Sequence, residues 1–582
     1  MTNCNSQKFP STCNPADYGF NKFFPHTGEE VYYQKITGTN LPEDGVVLIQ
    51  ENGLYYKAIL HENTINIEWY RCNERYANDE EIILAAVNTA AYLGAILRFD
   101  AKEYIVNEQL SFTGISCFKL LGDKQHTLIK SDKKEQDRLE GFYFSFTNCD
   151  NVIIEGLRFD QNKSNLITYS AADDAAQKEY NGGVFFTKSS NIEIINCHFF
   201  DLYNRAVRIF SCYGNINVNN NLFESNVQEQ IYVMEHLVVA QCPFAKVILE
   251  NNAFKNAENH NPDHGVVAIF AFELGEKGSV LINNNFFEYC GRNHTGVHRL
   301  YAIDFYDNVN NFIVSNNIFK NLTWGAIRFD GTRENGIICN NIIHQLIADQ
   351  DGMIMAASRE EAKYNQTKFK NISIHNNILD AATELSHGIA VLGLSPFCAA
   401  ENIEISNNKM YNLRYGIKIH GDVSVVSINN NQGFNLIGIG INVEGFKTGF
   451  NNTPLKPKKI EKIYINDNHL NGRPELNFNG FVGVQINGLD VDSKFMGRVL
   501  INNNFISSNN KGYGIIINTG TSLDNVVSVT ANTIENIERG LYIRSERVLV
   551  KDNLIYNASI EAILDQAVGT IFHENFYNNV LI

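Results

Sequence analysis

The chain has 582 residues, 48 of them Lys or Arg and 64 Asp or Glu, for a formal net charge of −16. At 44% apolar and 19% charged residues it is too apolar for a disordered chain, and its acidic total argues against a general nucleic-acid binder, which needs a basic face against phosphate. No apolar run approaches the roughly 20 residues of a membrane span, and Met1-Thr2-Asn3-Cys4-Asn5-Ser6-Gln7-Lys8 lacks an apolar core, so neither membrane insertion nor a secretory signal is expected.

Residues 1–74 read as a small N-terminal module for attachment or capping. From about residue 17 it mixes Gly turns with short strands such as Gly45 to Gln50 and Gly53 to Lys57. Residues 75–145 follow as the start of a second region. Asn78 or Asp79 can cap a helix whose apolar stripe includes Ile82, Ile83, Ala86 and Val87. A strand pair is expected next, Ala95 to Phe99 and Glu103 to Val106. An amphipathic helix ahead of a solenoid would cover the open end of its core.

From 146 to 582 one pattern recurs: alternating apolar residues, an Asn or other polar residue followed by Asn, then, two places on, an apolar residue. It reads Val247-Ile248-Leu249-Glu250-Asn251-Asn252-Ala253-Phe254, and again Val280-Leu281-Ile282-Asn283-Asn284-Asn285-Phe286-Phe287. The second Asn recurs at 221, 252, 285, 317, 341, 377, 408, 431, 468, 504, 532, 553 and 575, with Cys197 and Leu157 in the same slot earlier. The short steps of 21 to 24 residues fit one turn of a parallel β-helix, and steps of up to 37 fit the same turn with a loop inserted. Asn tolerates the left-handed backbone of a sharp corner, and stacked amides can hydrogen-bond from turn to turn. Phe223, Phe254, Phe287 and Phe319 should stack inside. A further strand per turn is readable, as in Ala206 to Phe210, Ala302 to Tyr306, Ala326 to Asp330 and Gly416 to His420. Its interleaved residues should face solvent. The eleven cysteines form no Cys-x-x-Cys pair, so buried reduced thiols are expected.

The run Asn78 to Val106, an acid-capped helix followed by Ala-Ile-Leu-Arg-Phe and Glu-Tyr-Ile-Val, resembles the start of the pectate-lyase-like superfamily. With the Asn-rich turns the resemblance covers about residues 75 to 582. It implies an all-β fold, a right-handed parallel β-helix with an N-terminal capping helix. The chain also resembles phage tailspike depolymerases. That resemblance implies a homotrimer carried on a virion tail or baseplate through the N-terminal module, acting on a bacterial surface polysaccharide. Polysaccharide hydrolysis, β-elimination and non-catalytic adhesion all occur on such scaffolds.

Aligned by register, one outward column runs Arg208, Tyr232, Phe270, Asp304, Arg328, and the next Phe210, Met234, Phe272, Tyr306, Asp330. Glu235, Glu273 and Asp307 fall just past the strand ends. Glycoside hydrolysis needs one protonated and one ionised carboxyl, so Asp304, Asp330, Asp307 and Glu273 are the catalytic candidates. One turn and two residues of offset place Asp304 and Asp330 about 8 Å apart, within the inverting window of about 6.5 to 9.5 Å. Arg208, Tyr232, Glu235, Phe270, Tyr306, Arg328 and Arg333 are the candidate substrate contacts. The bland alternative is a solvated face on which the acids simply pair with Arg208, Arg328 and Arg333. For elimination, Lys418 and His420 are candidates as outward neighbours on one strand, and Arg328 could neutralise the uronate carboxylate with Tyr306 as base. No cofactor is called for, although the acids could hold a structural Ca²⁺. The His pairs at 260/264 and 294/298 lie in loops, where that spacing does not build a metal site.

Overall fold

The computed structural model describes residues 19–38, 42–133, 141–160, 182–201, 205–224, 235–255, 267–290, 301–306, 308–322, 324–330, 333–346, 352–357, 368–383, 386–393, 399–421, 423–444, 460–473, 480–487, 498–509, 511–518, 526–567, 569–578 and 580–581. At 235, 267, 330, 333, 357, 368, 369, 393, 399, 423, 460, 461, 580 and 581 it describes the backbone alone. Two compact units divide the chain, residues 1–238 and 239–582.

In the first unit, strands β1 (Phe20–Phe24), β2 (Glu29–Ile36), β3 (Leu48–Glu51) and β4 (Leu54–Ala58) form an antiparallel sheet in the order β1-β2-β4-β3. Asp44 anchors it. One carboxylate oxygen accepts from the backbone N–H groups of Val46, Val47 and Leu48, and the other from the hydroxyls of Tyr70 and Thr89. Helix α1 (Asp79–Leu93) begins as its sequence dictates: the Asn78 side chain accepts from the Glu81 N–H at 2.9 Å, and Gly94 closes it with a left-handed φ of 62°. Its buried face is Ile82, Ile83, Ala86, Val87 and Ala90.

The two short runs after the helix do not pair with each other, contrary to the expected strand pair. Ile96–Arg98 pairs in parallel with Thr64–Asn66 and with Ser116–Leu121, and Glu103–Ile105 pairs with Leu128–Lys130. They are successive sides of one coil, so each finds its partner a full turn away. Parallel coiling therefore begins before the Asn repeat does. It continues through Ser116–Leu121, Asp150–Glu155, Ser190–Ile195 and Tyr213–Asn219 on one side, and Phe142–Thr147, Gly182–Thr187 and Arg205–Phe210 on another.

The second unit is itself a coil, each turn contributing three strands. One turn is Phe244–Glu250, Ala253–Lys255 and Val267–Phe272, and the next is Ser279–Asn283, Phe286–Glu288 and Tyr301–Tyr306. Each strand pairs in parallel with its counterpart one turn on. This is a parallel β-helix. The expected phenylalanine stack is present, with Phe254, Phe287 and Phe319 at centroid distances of 5.0 and 4.6 Å and nearly coplanar. Phe199 and Phe223 stack likewise at 5.1 Å in the first unit.

Two successive residues divide each corner between them, an Asn pair in most turns and Asp467, Ala531, Asp552 or Glu574 followed by Asn in the others. The first carries the left-handed backbone: Asn251, Asn284, Asn316, Asn340 and Asn376 have φ of 55 to 57°. The second is buried and forms the ladder. The Asn317 Oδ1 accepts from the backbone N–H and the side-chain amide of Asn285, while its own Nδ2 donates to Ile282 O and Asn341 Oδ1, all near 3.0 Å. The same bonds link Asn252 through to Asn575. Each amide therefore satisfies buried backbone groups that a tight corner would otherwise strand. Among the described residues, the cysteines at 72, 117, 149, 197, 212, 242, 290 and 339 are all free thiols, five of them buried. No helix there is long and apolar enough to cross a membrane.

Candidate functional site

The outer face of the Val267–Phe272, Tyr301–Tyr306 and Gly325–Asp330 strands carries the expected columns. Phe270 stands opposite Asp304 and Asp304 opposite Arg328, while Phe272 stands opposite Tyr306 and Tyr306 opposite Asp330. The column continues through Met355, Ala390, Lys418, Asn442, Gln485 and Ile516.

The environment of this face differs from expectation. Its interleaved residues were expected in solvent, yet Asp304 is 2% exposed, and Met355, Ala390 and Asn442 are also buried. The cause is lateral closure between turns. Arg328 donates Nε–H to Asp304 Oδ1 at 3.0 Å and Nη2–H to Oδ2 at 2.5 Å, a two-pronged pair that engages both carboxylate oxygens. The guanidinium lies 5.7 Å from the centre of the Tyr301 ring, and the Tyr301 hydroxyl reaches Met355 Sδ at 3.3 Å. Gly325 permits this. A Cβ there would sit 1.9 Å from Tyr301 Cε1, so only glycine lets the ring cross the strand.

Beside this pair lies an aromatic cluster. Phe270, Phe272 and Tyr306 are half-buried, with ring centroids 5.9 to 6.3 Å apart. Their edges and faces are arranged as aromatic contacts prefer. Glu273 is half-buried in a left-handed corner (φ 53°), its N–H donating to Tyr306 O, so it leaves the strand end rather than joining the columns. Asp307 and Tyr232, and the side chains of Asp330, Glu235 and Arg333, lie outside the described residues, as do the two His-bearing loops, and the backbone of Glu235, expected just past a strand end, opens the strand Glu235–Ala240 instead.

Arg208 belongs to the first unit. There it stands opposite Phe185 and lies about 5.5 Å from the Phe185 and Phe210 ring centres. Among the described residues no three His, Cys, Asp or Glu side chains gather as metal ligands. Asp304, with both oxygens committed to Arg328, does not fit a Ca²⁺ ligand.

The structure adds a second cluster farther along the same sheet that the sequence columns only half revealed. The Arg414 guanidinium and the Lys418 ammonium each lie 5.7 Å from the Tyr415 ring centre, and the His387 ring meets it edge-on at 4.5 Å. Asn442, opposite Lys418, donates from Nδ2 to Glu444 Oε2 at 3.3 Å. His420, expected to point outward beside Lys418, is buried. The missed residues are tyrosines at the first position of their strands, Tyr301 and Tyr415, with Tyr513 in the same place. An aromatic repeatedly opening a strand just ahead of a Gly or Ala was the available signal.

No known protein family matches the sequence, and no curated protein does. Solved structures with a similar trace include the A-module of mannuronan C-5 epimerase AlgE6 from Azotobacter vinelandii, at 11% identity and a TM-score of 0.29, covering 86% of this chain and 95% of that one. The tailspike protein of Acinetobacter baumannii phage AM24 aligns at 10% identity and 0.36, covering 70% and 62%. The DFA-IIIase of Arthrobacter chlorophenolicus A6 aligns at 12% and 0.36, covering 65% and 94%. The assignment of the coil rests on the strand pairing described above.

Proposed function

We propose that the chain is a depolymerase of a bacterial surface polysaccharide, a capsule or O-antigen, cutting within the sugar chain by glycosidic hydrolysis. One observation supports this reading above others: three half-buried rings, Phe270, Phe272 and Tyr306, stand directly beside the Asp304–Arg328 pair on one sheet face. Rings offer flat platforms to the apolar faces of sugars, and a guanidinium fixed by a carboxylate is a preorganised donor for hydroxyl groups. With both oxygens engaged, Asp304 is a positioning residue for Arg328 rather than the proton donor. Asp330 and Asp307 are then assigned the acid and base roles, with Glu273 as the alternative partner.

The test is product analysis on a panel of capsular polysaccharides. Hydrolysis yields new reducing ends without ultraviolet absorbance, and Asp330→Asn should abolish them while the protein still melts normally. If no polymer is shortened, the chain is a binding protein and the reading is overturned. Elimination is a second reading, supported by the half-buried Lys418 on the same sheet, and an ultraviolet-absorbing product identifies it. The setting proposed with this function is a homotrimer on a virion tail, attached through the N-terminal residues. Exposed apolar side chains on the last turns, Ile560, Ile571 and Phe572, support self-association.

A further inference from the structure

We infer that Arg414, Tyr415, Lys418 and Asn442 form a subsite for an acidic sugar, a uronic acid unit of the bound polysaccharide. The inference rests on the reading that this sheet face binds a sugar chain, and names the class of sugar. Two half-buried cations share one aromatic ring, each 5.7 Å from its centre, which fixes their charges above the strand. The protein carries a net charge of −16, so paired cations on this face run against the sign of the whole. A carboxylate is the sugar substituent that such a pair selects.

Asn442 supplies the second, independent observation. It is 3% exposed, and its Nδ2 is turned to Glu444, which fixes the amide orientation. Its Oδ1 is left as a buried acceptor without a hydrogen-bond partner. Buried polar atoms in this state are rare, and a sugar hydroxyl provides the missing donor. Because Lys418 and Asn442 stand opposite each other on neighbouring strands, one sugar ring spans both.

The placement suits a long substrate. Lys418 lies in the same column as Arg328, three strands farther on, or about 14 Å at the usual strand spacing of about 4.8 Å. Only Met355 and Ala390 intervene in that column, both buried, so no charged side chain of the column stands between the two sites.

The experiment is affinity electrophoresis of the full chain through gels holding polygalacturonate, hyaluronate or xanthan, with dextran as the neutral polymer. Expected is retardation by at least one acidic polymer and none by dextran, falling away as salt is raised. Arg414→Ala and Lys418→Gln should each weaken retardation by tenfold or more, and Lys418→Arg should restore most of it. Unchanged melting curves establish that the variants fold. Retardation equal to wild type in both charge-removing variants, equal retardation by dextran, or none by any acidic polymer overturns the subsite. Failure of the depolymerase reading shows up separately, as absence of chain shortening in the product assay.

Discussion

At the level of single residues, the corner asparagines set the terms. The Asn pair was legible in the sequence because its spacing survives loops of variable length. The division of labour within it was not, since composition alone cannot distinguish a left-handed backbone from a buried amide. Asn317→Ala removes an acceptor for two N–H donors and a donor for two oxygens. The expected loss is about 3 kcal/mol, read as a lowered unfolding midpoint with the polymer-binding constant unchanged. The place of Asp304 in its column was legible by register, but its burial was not, because the ring beside Arg328, Tyr301, opens the strand one position ahead of the run read from the sequence. Truncating one member of a buried ion pair strands the other, so Arg328→Leu should cost about 3 to 5 kcal/mol. The double variant with Asp304→Leu should recover part of that loss, and a double-mutant cycle by chemical denaturation measures it. The thiols follow burial. Cys197 is pushed up to about 12 by burial, whereas Cys117 is exposed. A thiol reagent at pH 8 should label Cys117 in the native protein and reach Cys197 only after unfolding.

Among the elements, the start and buried face of helix α1 were readable because cap, acidic first turn and apolar stripe all agree. The strands after it were misread, since parallel coiling puts partners a turn apart and local sequence does not reveal them. Just ahead of the helix, Glu68 ties the 3-10 turn Ile67–Cys72 to its surroundings. Burial raises its carboxyl, but hydrogen bonds and charge from Lys102 and Arg71 outweigh burial and hold it below its ordinary 4.5. An acid depressed in the folded state adds stability above its unfolded value and loses it as pH falls through the folded one. The wild-type stability profile should therefore drop below about pH 4.5, and Glu68→Gln should flatten that part of the curve, as followed by urea midpoints across pH 3 to 7. Removing the helix cap by Asn78→Ala should cost about 1 kcal/mol in the same assay.

For the molecule as a whole, the sequence conveyed the architecture because a solenoid repeats its instructions, whereas the side chains of the outward columns differ from turn to turn. The exposed apolar side chains of the last turns predict assembly. Light scattering should return about three times the 65.7 kDa chain mass, and Ile571→Lys with Phe572→Glu should shift it toward one chain. The buried amides of the second unit hold one more consequence. From Asn252 to Asn553 each side-chain amide donates to the amide of the next turn, and from Asn285 to Asn575 each accepts from the one before, so these amide-to-amide bonds run in a single direction like a file of aligned magnets. Hydrogen bonds in such a series polarise one another. A gap cut in the middle should therefore be felt on both flanks, and two gaps side by side should hurt less than two gaps far apart.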